Sequence, residues 1–351
     1  MPRPRFTRRR LTLTIAGAGV IISIAVASLV PVPYVILSPG PTLNTLGTLG
    51  KGNPLIQISG RKTYQPSGHL NLVTVSFQGG PSNSFNVFTA LQAWLTPHDA
   101  VVPEAELFPP GSTQQQVTKQ DTQEMASSQQ TATAAALCQL GVKFTTVDTV
   151  AAVERGMPAH GVLRAGDVIT AVDGTPVTCH ADAGTLIRSH PPKTLVTLTI
   201  QRHGTTMPVR LTTASLAGRS VVGVQVVENY KNFPFSVKIS VGDIGGPSAG
   251  LMFALGIVDK LTPEDLTHGK FIAGTGEMLT ANGAVGAIGG IQQKMAGARA
   301  AGATVFLTPA ANCRDAAGAV PAGMRLIKVS TLAGAVHALQ ALAAGRSVPS
   351  C

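Results

Sequence analysis

The sequence reads Gly245-Gly246-Pro247-Ser248-Ala249-Gly250 where a predicted strand gives way to a predicted helix. The neighbours of Ser248 are too small to shield its hydroxyl, so we expect that hydroxyl to be exposed. Unpaired amides at a helix N-terminus carry the positive end of the helix dipole and can hold an oxyanion. Serine is also a preferred helix cap, so this stretch alone fits either a catalytic serine or a cap.

A second glycine-rich stretch leads into another predicted helix and ends on a lysine. It reads Gly283-Ala284-Val285-Gly286-Ala287-Ile288-Gly289-Gly290-Ile291-Gln292-Gln293-Lys294. A lysine that is desolvated in an apolar helix loses its charge, and its neutral amine can accept a serine proton. Helical lysines are ordinarily solvated, so Lys294 by itself also fits a surface position.

The periodicity around these stretches predicts two kinds of folded material. From Val221 to Ala344, strands alternate with helices, which is typical of α/β or α+β enzymes. From Gly141 to Thr213 the pattern is β-rich, with a turn at Asp173-Gly174, a helix over Asp182 to Arg188 and a hairpin at His203-Gly204. At 351 residues the chain is long enough for two such bodies.

The N-terminus has the pattern of a membrane anchor. No ionisable side chain occurs between Arg10 and Lys51, and the run from Leu11 to Leu37 exceeds the ~20 apolar residues that cross a bilayer. The preceding arginines favour a cytoplasmic N-terminus, and Pro31 and Pro33 are expected to end the helix. A cleaved signal peptide is the alternative, since Ala25-Val26-Ala27 satisfies the small-x-small rule.

Charge and cysteine content exclude other classes of function. The formal charge is +10, but arginines within residues 3–10 supply half of it, and no basic run alternates with aromatics, so nucleic-acid binding is not expected. No cysteine pair has zinc-site spacing, so we predict no metal and no cofactor. Outside the cytoplasm disulfides are permitted, and Cys313 with Cys351 is one option beside free buried thiols.

The two glycine-rich stretches together resemble the proteolytic domain of Lon-type proteases. That family pairs a serine within Gly-Pro-Ser-Ala-Gly with a lysine after an Ile-Gly-Gly turn, and Thr275-Gly276-Glu277 matches it as well. The resemblance implies that Ser248 is the nucleophile and Lys294 the general base. It also implies that Thr275 orients the lysine, and we expect backbone amides near Gly246 and Ser248 to stabilise the oxyanion.

The β-rich segment resembles bacterial PDZ domains. It has the family's run from Gly161 to Asp167 before a strand, and then the Asp173-Gly174 turn. That family binds extended peptides by adding them to an open sheet edge. By this resemblance the amides of Leu140, Gly141 and Val142 receive a peptide carboxylate or carbonyl; as apolar residues, Leu140 and Val142 also fit a core.

One anchor, a PDZ module and this C-terminal domain resemble membrane-anchored Lon-like proteases of bacteria. The fold class is α+β: an N-terminal transmembrane helix, and a PDZ-like domain inserted before or within a Lon-type proteolytic domain. We expect a basic tail over 1–10, an anchor over 11–33, a segment with early protease strands over 34–124, a PDZ-like domain over 125–213, the proteolytic domain over 214–345 and a tail over 346–351.

The resulting functional expectation is an ATP-independent serine endopeptidase outside the cytoplasm. The chain has no Gly-x4-Gly-Lys-Ser/Thr phosphate loop, so ATP-driven unfolding is not expected, and the substrates are unfolded or membrane-tethered polypeptides. The partners are these polypeptides and the lipid bilayer. Relatives of the proteolytic domain form rings, which implies a homo-oligomer.

Two alternatives remain at the level of sequence. Gly246-Pro247-Ser248-Ala249-Gly250 also satisfies the Gly-x-Ser-x-Gly elbow of α/β-hydrolases, followed by Asp315 and His337 in that family's order. Against it, His337 falls within a predicted Ala/Leu helix. The other alternative is a membrane-anchored PDZ scaffold without catalytic activity.

Overall fold

The computed structural model describes residues 8–50 and 52–351. The first seven residues of the expected basic tail lie outside this range. Helix α1 spans Arg8–Leu29 and stops before Pro31. Within it, Leu11–Leu29 is apolar, unburied by the rest of the chain, and long enough to cross a membrane. This helix is a candidate membrane anchor.

The segment after α1 begins with the strands of a mixed sheet and ends with a long helix. Its elements are β1 (Tyr34–Asn44), β2 (Thr48–Leu49), β3 (Asn53–Pro54), β4 (Ile56–Ser59), β5 (His69–Gly79), a 3-10 turn (Gly80–Ser82), α2 (Val87–Leu95), β6 (Ala100–Pro103), α3 (Glu104–Leu107) and α4 (Gln114–Gln139). A capping box closes the start of α4, because Thr113 and Gln116 satisfy each other's backbone amides.

The middle segment is mostly β-structure. Its elements are β7 (Thr145–Val153), β8 (Val168–Val172), β9 (Thr175–Pro176), α5 (Ala183–Arg188), β10 (Leu195–Arg202), β11 (Thr205–Thr212), β12 (Ala214–Leu216), β13 (Arg219–Val221) and β14 (Val224–Lys231). They form a sheet in the order β11-β10-β8-β7-β14, in which β9 also pairs with β8. Helix α5 covers one face of this sheet, and Ile187 lies in its core.

The last segment alternates strands and helices, as the sequence predicts. Its elements are β15 (Ser236–Ile239), α6 (Gly250–Leu261), β16 (Phe271–Gly274), β17 (Glu277–Met278), β18 (Val285–Gly286), α7 (Ile291–Ala300), β19 (Val305–Pro309), a 3-10 turn (Ala310–Asn312), α8 (Cys313–Ala317), β20 (Arg325–Val329) and α9 (Leu332–Ala343).

Strands from the first and last segments share one six-stranded sheet, in the order β20-β19-β16-β5-β1-β6. Strands β20, β19, β16 and β5 are parallel, whereas β1 and β6 are antiparallel to their neighbours. The main core contains α4, α6 and α9 on one face of this sheet, and a second core contains α7 and α8 on the other. The β-rich middle segment is therefore an insertion between β5 and β16.

The structure differs from the sequence-based expectation at both ends of the β-rich segment. The expected bounds of the PDZ-like domain, 125–213, include the second half of helix α4, but this helix packs on α6 in the main core through residues such as Met125 and Ala132. Strand β14 was expected within the proteolytic domain, but it pairs along its length with β7. Sequence periodicity reports which face of an element is apolar, not which body it packs against.

All four cysteines form disulfides, Cys138–Cys179 and Cys313–Cys351. The second pairing is the option named from the sequence. The first joins the end of α4, in the main core, to the loop before α5 in the β-rich insertion. This bond therefore ties the insertion to the helix that borders the site described next.

Candidate active site

The site lies at the carboxyl end of strand β16, which pairs in parallel with β5 and β19. Thr275 follows β16 directly and is fully buried. In open α/β sheets ligands bind outside the carboxyl ends of the strands, since the helices diverge there. At this end of the sheet the start of α6, from one face, approaches the start of α7, from the other.

Ser248 is held by its backbone just before α6 begins. Its carbonyl oxygen accepts hydrogen bonds from the Thr275 hydroxyl (2.9 Å) and from the Gly276 amide (2.8 Å). Ser128 on α4 donates its hydroxyl to the Pro247 carbonyl at 2.9 Å. A Cβ on Gly250 would lie 2.8 Å from the Met278 backbone nitrogen, so only glycine permits this close approach.

Lys294 is carried by the first turn of α7 and is 4% exposed. Its amide donates to the Gly290 carbonyl at 3.0 Å, and Gly290 adopts the left-handed conformation (φ 66°). Burial lowers the pKa of Lys294 to about 8, because an ammonium loses hydration inside the protein. The neutral amine is therefore accessible near physiological pH.

The Thr275 hydroxyl links the serine and lysine segments. It accepts a hydrogen bond from Lys294 Nζ at 3.4 Å while donating to the Ser248 carbonyl. Within the described part of the chain no hydrogen bond joins Ser248 Oγ directly to Lys294 Nζ. Both residues nevertheless line one cavity of about 510 Å³, together with Gly290, Val75 and Phe77.

The amides around Ser248 divide into free and occupied groups. Those of Ser248 and Ala249 have no acceptor among the residues that the structure describes. The Gly246 amide, near which one of the two oxyanion contacts was expected, donates to the Asp121 carbonyl of α4 at 3.2 Å. In this arrangement the free donors are those at and after the serine, not the one before it.

The structure does not bring the rival triad together. His337 lies on α9 and Asp315 on α8; both are exposed, and neither lines the cavity that contains Ser248. His268 lies in an exposed turn where its amide donates to Asp265. None of these three residues is placed to assist a reaction at Ser248.

Comparisons with known proteins agree with this architecture. Residues 138–213 match the PDZ domain family, and residues 214–340 match the Lon protease C-terminal proteolytic domain. The chain carries a PDZ domain and a Lon-type proteolytic domain. Together these two domains support a protease that recognises peptides.

Solved structures, two of them described as PDZ domains, are also similar to part of the chain. A PDZ domain from an SdrC-like protein of Listeria monocytogenes is 23% identical over 23% of this chain and 86% of that chain, with a TM-score of 0.22. Its counterpart from Listeria innocua is 24% identical over 23% and 92%, with a TM-score of 0.21. A Geobacillus thermodenitrificans protein is 29% identical over 20% and 82%, with a TM-score of 0.18.

The loop expected to bind peptides in the PDZ domain is a helix cap. The amides of Leu140, Gly141 and Val142 donate to the carbonyls of Ala136, Cys138 and Leu137, and Gly141 is left-handed (φ 66°). Leu140 also packs on the main core. These three amides are therefore engaged in ending α4, and their peptide-binding role stays a prediction from the resemblance.

A groove lies instead between β14 and α5. Strand β14 is the last in its sheet order, so its outer edge carries no strand from the described residues. The groove has a volume of about 540 Å³ and includes Gly184 and Ile187 of α5, Leu216, Val227, and Leu279 of the proteolytic domain. It thus runs from the PDZ domain onto the domain that contains Ser248.

Most charged side chains that line the groove are acidic, and the one basic group in the lining is Arg188, which lies 3.8 Å from Asp182. Asp148 and Glu228 are register partners on β7 and β14, and both line the groove with Asp182, the cap of α5. Burial raises the pKa of Asp148 to about 6 and raises that of Glu228 as well, and neighbouring carboxylates add to both shifts. Asp182 and Glu228 accept hydrogen bonds from Asn282 and Ala281, which joins the two domains.

Sequence reasoning missed two contributions to the site. Ser128 and Asp121 both hold the serine loop from α4, which reads in sequence as a polar, glutamine-rich helix. The available signal was the run of small residues Thr131–Ala136, whose burial requires a close neighbour. The β14 edge was missed because Val222-Gly223-Val224, which repeats the apolar-Gly-Val pattern of Leu140–Val142, was assigned to the other domain.

Gly290→Ala tests whether the turn before α7 positions Lys294. A Cβ there would lie 2.7 Å from Val75 Cγ2, in addition to the left-handed strain of about 1 kcal/mol. We expect peptidase activity to fall by at least about tenfold, since small misplacements of catalytic groups are costly. Gly345→Ala is the matched control, with φ 68° and open space around the added methyl group. Equal activity of the two variants would contradict the positioning role.

Proposed function

We propose that this chain is an ATP-independent serine endopeptidase that works with a Ser248–Lys294 pair. The observation that carries the proposal is the buried Lys294 amine, in the same cavity as Ser248 and linked to its segment by Thr275. At a pKa of about 8, roughly one lysine in ten is neutral at pH 7, against about one in three thousand for an exposed lysine. A general base needs that neutral fraction.

The reaction proceeds in two acyl-transfer steps. Neutral Lys294 takes the Ser248 proton as the oxygen attacks a peptide carbonyl, and the resulting ammonium then protonates the leaving amine. Water, deprotonated by the same lysine, attacks the acyl-serine and releases the new carboxyl end. Thr275, which accepts from the lysine, orients the amine between these transfers.

The developing oxyanion needs preorganised donors. The amides of Ser248 and Ala249 have no acceptor within residues 8–50 and 52–351, and they lie at the start of α6, where the helix dipole favours negative charge. The Gly246 amide joins them only if a bound substrate draws it from the Asp121 carbonyl. We therefore assign the primary donors to the serine and the residue after it.

The proposed location is the outer face of a cell membrane, with the N-terminus cytoplasmic. Arginines precede the anchor, and short positive flanks stay on the cytoplasmic side. Both disulfides support the same orientation, because such bonds persist in oxidising compartments and are rare in the cytosol.

The proposed substrates are unfolded or membrane-tethered polypeptides. Leu37, in the cavity wall, is three residues along β1 from Tyr34, and at ~3.3 Å per residue this places the site about 10 Å from the start of that strand. The start of β1 follows closely on the end of α1, so a chain emerging from the membrane needs little length to reach Ser248. The sequence has no Gly-x4-Gly-Lys-Ser/Thr phosphate loop, so the proposal includes no ATP-driven unfolding of the substrate by this chain.

The PDZ domain is proposed to bind an extended peptide as an added strand on β14. The free edge supplies backbone partners, α5 forms the opposite wall, and the acidic lining favours basic peptide side chains. Since Leu279 follows the Gly276 contact to Ser248, the groove leads toward the catalytic loop.

We place the PDZ domain at 138–231 with β14 included, against the predicted 125–213. Self-association and the absence of nucleic-acid binding stay predictions from sequence.

The catalytic pair is tested by cleavage of an unfolded protein without ATP. Ser248→Ala and Lys294→Met are each expected to lower the rate by at least about 10³-fold, because removing either member stops proton transfer. Lys260→Met is the matched control, since Lys260 is also buried, with a lowered pKa, but lies at the far end of α6. The wild-type rate should rise with pH through about 8, as Lys294 deprotonates.

Full activity of Lys294→Met, or a rate that does not change between pH 6 and 9, would contradict the lysine base. Retention of activity in Ser248→Ala would contradict the nucleophile. Cleavage that requires ATP would contradict only the proposal that proteolysis is ATP-independent.

Peptide binding by the groove is tested separately, in the Ser248→Ala background to prevent cleavage. Leu216→Asp and Val227→Asp are each expected to weaken binding of a labelled unfolded peptide by about tenfold, since each removes apolar contact area worth ~1.4 kcal/mol. Leu195→Asp is the control, because Leu195 and Leu216 are both 61% exposed but Leu195 lies outside the groove. Equal loss of affinity in the control would contradict this site.

A further inference from the structure

Helix α2 exposes a continuous apolar face. Phe88, Leu91, Trp94 and Leu95 are 44%, 47%, 72% and 75% exposed, although α2 has only nine residues. At 100° per residue these four side chains lie within an arc of about 120°. No residue of α2 is charged. An uncharged helix with such a face normally has an apolar partner.

The opposite face of α2 is fixed to the protein. Ala93 is buried and Ala90 packs beside it, against Ile36 of β1 and Val101 of β6. The helix is therefore docked on the edge of the six-stranded sheet, and its orientation is set by that contact. The outward direction of Trp94 and its neighbours is a property of the fold.

The start of α2 is joined to the end of the candidate membrane span. Asn86 caps α2 by accepting from the amides of Phe88 and Thr89, and its Nδ2 donates to the Ser28 carbonyl of α1 at 3.0 Å. The Val32 amide also donates to the Phe85 carbonyl at 3.0 Å. One asparagine thus closes both helices, and α2 begins beside the C-terminal end of α1.

From this continuity we propose that the Phe88, Leu91, Trp94 and Leu95 face of α2 inserts into the surface of the bilayer that α1 crosses. The inference rests on the anchoring role of α1 given above. Tryptophan and phenylalanine are enriched at membrane interfaces, and interfacial helices bury their apolar face ~5–10 Å below the headgroups. Because α2 has no basic residue, insertion depends on apolar contact and not on anionic lipid.

Docking of α2 fixes the catalytic domain relative to the membrane. Helix α2 packs on β1, the strand whose Leu37 lines the Ser248 cavity, so a seated α2 holds that cavity at a constant height above the lipid. A single transmembrane helix would leave the domain free to tilt. Two attachments to one bilayer remove that freedom.

Trp94 is the only tryptophan of the chain, so intrinsic fluorescence reports this face alone. The full chain, with Ser248→Ala to prevent self-cleavage, is reconstituted in phosphatidylcholine vesicles, and the fraction that floats with lipid is measured. We expect blue-shifted emission and loss of most intensity when the acyl chains carry bromine near the headgroup, with less loss for bromine near the chain ends. Added salt should leave both readings unchanged.

The double variant Leu91→Glu/Leu95→Glu keeps Trp94 but should shift its emission to the red and abolish quenching by bromine, while still floating through α1. Leu195→Glu, an equally exposed apolar position on the PDZ sheet, should behave as the parent. These substitutions are at exposed positions, so folding is preserved.

Free quenching of parental Trp94 by acrylamide, with no effect of brominated lipid, would overturn the docking while leaving the anchor intact. A blue shift that grows only with protein density in the vesicle would assign the face to a second copy. A shift seen only after an unfolded protein is added would assign it to substrate. Failure of the parent chain to float would overturn both the anchor and the docking.

Discussion

The proposed chemistry depends on one constraint, which is the burial of the Lys294 amine in the cavity that Ser248 also lines. Burial alone lowers the pKa of this lysine, with no nearby cation required. Its ammonium form is costly in that environment, and the neutral form is the useful one. Thr275 adds orientation, since its hydroxyl contacts both the amine and the backbone of the serine. The remaining architecture brings α6 and α7, from opposite faces of a sheet, to this hydroxyl.

The long helix α4 connects the catalytic loop to the peptide groove. Its residues Asp121 and Ser128 hold the serine loop, Thr131 lines the groove, and Cys138 is bonded to the loop before α5. A second connection runs through Asn282 and Ala281, which donate to Asp182 and Glu228 of the β-rich middle segment. A peptide added on β14, as proposed, would contact elements that lie within a few residues of the contacts to Ser248.

Sequence was sufficient for what local patterns encode. The glycine-rich turns before Ser248 and Lys294 predicted helices α6 and α7 and pointed to these two residues as a candidate pair. The hairpin at His203-Gly204 was also placed correctly. Sequence patterns were insufficient where the structure depends on pairing between strands that are far apart in the chain. The resemblance places the peptide contacts at Leu140–Val142, yet the amides of that loop end α4, and the open edge of the sheet belongs to β14, about 80 residues later in the chain. The free amides near Ser248 and the lowered pKa of Lys294 likewise cannot be predicted without knowing which groups are buried and hydrogen-bonded in the fold.

The proposal is tested most directly by the titration of one amine. In the full chain with ¹³Cε-labelled lysine, the Lys294 resonance is assigned by its loss in Lys294→Arg, and its chemical shift is followed from pH 6 to 11. A midpoint near 8 is predicted from burial of the side chain. A midpoint near 10.4, as for a solvated lysine, would contradict a neutral base beside Ser248.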